Sequence, residues 1–175
     1  MFIAKQKKQN NIAEYILYMW QIEDIIRANQ FDIDKINQTV ISRFELTDAQ
    51  KTEMRNWYAG LIDLMKEESI KEKGHLQFLK NTANELNELH KKLLTKPEEL
   101  EYQKRYRNAL PNIMVFQKKE NKTADNEIET CFNGLYAKLL LKLQTRELTK
   151  ETEQAIETFR QLIVMLAKKY HEDEG

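Results

Sequence analysis

Three residues have both the chemistry and the spacing of a metal or acid–base site: Glu68, Glu72 and His75. Glu72-Lys73-Gly74-His75 is a Glu-x-x-His step, which on a helix puts a carboxylate and an imidazole on one side, as in di-iron helical bundles. They stand in the middle of a stripe through Leu61, Met65, Glu68, Glu72, His75, Leu79, Thr82 and Leu86. Its alternating steps of four and three keep one face of an unbroken helix. Apolar residues at both ends imply a buried centre. Carboxylates buried beside an imidazole are costly unless paired, hydrogen-bonded or bound to a metal. Glu23, Asp24 and Glu127 are the carboxylates from other segments that would complete such a metal site.

A simpler reading of the same residues carries more weight. A di-metal site of that kind needs a second Glu-x-x-His and a carboxylate from each of two further helices, and the sequence holds no second copy. Gly74 can end the helix and leave the three groups in a solvated bend. A buried ion pair with Arg27 or a lysine would serve equally.

The remaining reactive residues offer less. On one continuous helix His75 and His90 would lie roughly 22 Å apart, too far to share an ion. Asn81, Asn84, Asn87 and His90 form a three-step ladder that winds around a helix, and read as a polar flank rather than a converging site. His171 falls in a polar tail. Cys131, the only cysteine, sits among Ile128, Phe132 and Leu135 and reads as a small packing residue. Alone it forms no intrachain disulfide, which suits a reducing interior. Gly-rich phosphate loops, the Rossmann fingerprint, His-Glu-x-x-His and Gly-x-Ser-x-Gly are all missing from the sequence.

The elements that must position these residues are helices. Four glycines and two prolines interrupt 175 residues, and apolar residues recur at three- and four-residue steps almost throughout. The expected architecture is all-α: an antiparallel bundle of about four long helices with two or three short ones. It forms a single domain over 1–175, with loose ends at 1–9 and 171–175. The first long helix runs from Asn10 or Asn11 to Asn29, apolar on every side through Tyr15–Trp20, as a central helix should be. A short helix ends near Phe44. Thr47 and Gln50 form a capping box for the next, which carries Met54, Trp57, Tyr58, Leu61, Leu64 and Met65 inward. Pro97 opens a short helix capped by Thr95 and Glu98, and Pro111 breaks the pattern. A loop spans Lys119–Asp125, followed by helices from Asn126 and, capped by Thr149, to the end. Gly60 and Gly134 fall inside helices, where each costs about 1 kcal/mol against alanine, and close approach of two helices would explain both.

Charge narrows the function classes. Lys plus Arg and Asp plus Glu both number 28, giving zero net charge, whereas nucleic-acid binders carry a basic excess. No stretch approaches the roughly 20 apolar residues of a membrane span, and no secretory signal opens the chain. The expected location is cytoplasmic.

Three stretches carry a resemblance: Asn11-Ile12-Ala13-Glu14-Tyr15-Ile16-Leu17-Tyr18-Met19-Trp20-Gln21-Ile22-Glu23-Asp24, Gly74-His75-Leu76-Gln77-Phe78-Leu79, and Asn126-Glu127-Ile128-Glu129-Thr130-Cys131-Phe132. They resemble an uncharacterised all-helical family of Bacteroidetes-type bacterial proteins, a domain of unknown function. The resemblance spans nearly the whole chain and implies no activity. The resulting reading is a non-enzymatic helical protein acting through a protein partner or its own copies, without cofactor, nucleic acid or membrane. The alternative is a metal-binding or hydrolytic bundle at Glu68, Glu72 and His75.

Overall fold

A computed structural model describes residues 2–119 and 124–174, the side chain of Glu174 excepted. Among them are eight α-helices and one 3-10 turn, and no strand. The helices are α1 (Phe2–Asn10), α2 (Ile12–Ala28), α3 (Ile33–Thr39), α4 (Asp48–Glu67), α5 (Gln77–Thr95), α6 (Leu100–Lys119), α7 (Glu127–Leu143) and α8 (Lys150–Glu174). The all-α class expected from periodicity holds. Among the described residues no helix is long and apolar enough to cross a membrane. Most of the loop expected over Lys119–Asp125 lies outside the described residues, at 120–123.

Helix starts follow local side-chain chemistry. The Asn11 side chain accepts from the amide of Ala13 at 3.1 Å. Thr47 and Gln50 cap each other's backbone at the head of α4, and Asn126 accepts from Glu129 at the head of α7. Thr149 accepts from the Thr152 amide at 3.3 Å before α8. Each such cap satisfies one amide that the helix itself cannot, and is worth about 1 kcal/mol.

Contacts divide the chain into two compact units. One comprises Met1–Asn10 and Glu14–Asn81; the other comprises Asn11–Ala13 and Thr82–Gly175. In the first, α3 and α4 pack on each other and on the 3-10 turn Ile41–Arg43. Its fully buried side chains include Ile16, Met19, Ile36, Ile41, Tyr58 and Met65. In the second, α6, α7 and α8 pack pairwise around Tyr102, Ile113, Phe132, Phe159 and Leu166. Each such side chain contributes about 1.5–3 kcal/mol by leaving water.

The structure departs from the sequence reading at several elements. Phe2–Asn10, expected as a loose end, is helical, and α8 continues through the expected tail to Glu174. Pro111 does not break α6. It withholds one amide from the carbonyl of Arg107, but both residues are exposed, so water can satisfy that carbonyl. Buried Tyr102, Ala109 and Ile113 hold the helix on either side. Pro97 lies in a turn, and Thr95 donates to the Lys92 carbonyl instead of capping a new helix. In α4 it is Ile62 that is buried, while Leu64 is 40% exposed. Close packing accounts for only one of the two helical glycines. A Cβ on Gly134 would come within 2.7 Å of the Phe159 ring, whereas one on Gly60 would meet nothing.

Candidate functional site

The helix needed to align Glu68, Glu72 and His75 does not exist. α4 ends at Glu67, α5 begins at Gln77, and Gly74 between them has φ +93°, a left-handed conformation natural to glycine alone. Glu68 accepts from the Gln77 amide at 2.7 Å, and Glu72 is exposed. Among the described residues no three His, Cys, Asp or Glu side chains gather as a metal site.

What assembles instead is a clamp on the α4–α5 connection, built in the first unit by one face of α2. Trp20, Glu23 and Arg27, at i, i+3 and i+7, share that face. The buried Glu23 receives the Nδ1–H of His75 at 2.6 Å and the amide of Leu76 at 2.8 Å. An ionised carboxylate only accepts, so the hydrogen bond assigns the proton to Nδ1 of His75. The Trp20 indole stacks on the imidazole, centroids 4.0 Å apart and 9° from parallel. Arg27 donates to the carbonyls of Gly74 and Ile70 and pairs with Asp24 at 3.0 Å. Glu23 thus stands with His75, as the sequence reading allowed, and Arg27 pairs with Asp24 rather than with the suspected trio. Two carboxylates, Glu23 and Glu68, meet the first amides of α5, where negative charge is favoured by the helix dipole. Their chemistry is that of a cap.

The second unit holds a different cluster. His90 is 2% exposed, inside α5. Its Nε2 lies 3.5 Å from the Glu127 carboxylate on α7, and its Nδ1 lies 2.6 Å from the Tyr102 hydroxyl on α6. When Nε2 alone carries the ring proton, toward the carboxylate, Nδ1 accepts from the Tyr102 hydroxyl. Tyr106 packs edge-on against the imidazole, centroids 4.9 Å apart, and hydrogen-bonds Glu127. The His90 hydrogen bond, together with Tyr106 and against the effect of burial, holds the Glu127 carboxyl below its ordinary value. Burial and the Glu127 hydrogen bond push Tyr106 up to about 12. Burial raises the Tyr102 hydroxyl and the Cys131 thiol as well, so neither ionises near neutrality.

This cluster opens onto a cleft. Asn84, Asn87 and His90 of α5 face Asp125, Asn126 and Glu127 across about 470 Å³. Three members of the asparagine ladder therefore do converge, contrary to its reading as a polar flank. Asn81 does not join them and accepts instead from Gln77 at 2.9 Å. The ladder winds as its spacing requires. What the sequence hid is that α7 begins opposite it, bringing Asn126 within 3.4 Å of Asn84. His171, expected in the tail, is engaged as well, its Nε2 accepting the Ile12 amide at 3.0 Å.

No curated protein and no solved structure matches the chain. A family model does match it over residues 1–175, and the protein accordingly belongs to the family described as Domain of unknown function (DUF4924).

Proposed function

We propose that this is a non-enzymatic, cytoplasmic protein that acts by contact, and that its partner in the first instance is a second copy of itself. One observation carries the reading. Phe2 is 62% exposed and stands beside an apolar hollow formed with Ile3, Phe44, Leu46 and Met54 in the first unit. The hollow measures about 100 Å³, room for a side chain but below the range of about 300–1,000 Å³ usual for small-molecule pockets. A protruding aromatic next to a hollow is the arrangement that a two-fold pairing needs, each copy offering the ring that the other receives. Zero net charge puts little long-range repulsion between copies.

Light scattering of the purified chain across a range of concentrations tests this. A mass rising toward the dimer, and returning to the monomer in Phe2→Ser and Phe44→Ser, is the expected result. A monomeric mass at every concentration would remove it.

A further inference from the structure

The contact reading makes no use of the cleft above His90, and two features of that cleft point to a ligand. The first is Asn87. It is 8% exposed, yet its side-chain amide has no hydrogen-bond partner among the described residues, and it lines the cleft. The polar end of the side chain is the part that still meets solvent, on the cleft side. Its amide is therefore uncommitted within the described protein and open to a ligand in the cleft.

The second feature is charge. Lys91 is the one permanent cation among the lining residues, and Glu88 already holds it at 2.7 Å. Asp125 and Glu127 remain as carboxylates against the single imidazole of His90. An anion would have to approach these carboxylates, and the nearby start of α7 is already capped by Asn126. A cation would be met by them. Glu127 keeps acceptor positions beyond those used by His90 and Tyr106, since a carboxylate offers about four. Its side chain is 35% exposed, enough to be reached from the cleft.

The geometry points to this cleft as the binding site of a small organic amine, its ammonium group on Glu127 and Asp125 and an N–H directed at the Asn87 oxygen. The volume of about 470 Å³ falls within the range of small-molecule sites. Behind it, Tyr102 and His90 fix the Glu127 carboxylate in place, so that the site is built before the ligand arrives.

Three four-carbon probes of one length and different charge test the inference on the intact chain: putrescine, 1,4-butanediol and succinate. Nitrogen–proton spectra would follow the Asn87 side-chain amide and the backbone amides of Asn126 and Glu127 during titration. Putrescine is expected to give saturable shifts at these groups, weakened by salt and unmatched by the diol or the diacid. Glu127→Gln and Asn87→Ala are each expected to weaken binding by about tenfold or more, the effect of losing a hydrogen bond to a charged group. Asn87→Ala deletes no hydrogen bond within the described protein, so it reports on binding even where Glu127→Gln disturbs the His90 cluster. Shifts equal for all three probes, a preference for succinate, no saturable shift with putrescine, or binding unchanged in Asn87→Ala would each overturn it. None of these outcomes depends on whether the chain self-associates.

Discussion

Glu23 and Glu72 are the same residue type with opposite consequences. Glu23 is buried and answers both a histidine N–H and the Leu76 amide, while Glu72 stands in water. Removing Glu23 orphans two donors, each costing about 1–3 kcal/mol. Glu23→Ala should therefore lower stability by about 2–5 kcal/mol in denaturant unfolding, and Glu72→Ala should fall within about 0.5 kcal/mol of the parent. Glu127 makes a different prediction, about pH. Its carboxyl is held below the ordinary 4.5, so the folded state favours the ionised form. That stabilisation is complete above about pH 4.5 and disappears as pH falls through the lower, folded-state value. Glu127→Gln should show a shallower loss of stability across that acid window, which acid titrations followed by circular dichroism would reveal. Cys131 supplies a probe for either experiment. Buried, with its thiol pushed up by desolvation, it should resist alkylation until the second unit opens.

Among the elements, glycine has three meanings in this chain. Gly60 is exposed and has open space around it, so Gly60→Ala should stabilise α4 by about 0.5–1 kcal/mol through backbone entropy alone. Gly134 lets α7 lie against the Phe159 ring of α8. Gly134→Ala should destabilise by about 1–3 kcal/mol, as overpacking does, unless the ring turns aside. Gly74 is the hinge of the α4–α5 connection, where any side chain meets a left-handed backbone and costs about 1–3 kcal/mol. Thermal unfolding of the three alanine variants should rank Gly60 above the parent and the other two below it. These glycines also show what sequence can tell. Capping by Thr47 and Thr149 is legible because a cap and its amide lie within a few residues of each other. Whether a glycine relieves a clash, fills a turn or does neither depends on side chains far along the chain, such as Phe159 for Gly134.

The same boundary between local and distant explains the sites at the scale of the molecule. The Glu68–Glu72–His75 stripe holds only on a straight helix, and two left-handed residues, Ser69 and Gly74, dissolve it. The His90 cleft needs α5, α6 and α7 together, which no periodicity within α5 can announce. All-α architecture is legible throughout because it rests on repetition rather than on any single pairing. The proposed self-association belongs here too. Apolar contact between partners of zero net charge should strengthen in sulfate and persist in sodium chloride, whereas ion-pair association would weaken in both. Sedimentation in the two salts would separate these cases.

The bond from the Ile12 amide to His171 joins residues 159 positions apart. During synthesis the ribosome releases the donor long before the acceptor. The start of α2 must wait, without that partner, for the last turn of α8 to emerge. Contacts of such sequence separation slow folding, so the second unit should mature only once α8 is free of the ribosome. A protease clip just before His171 would be felt far upstream, at the first turn of α2.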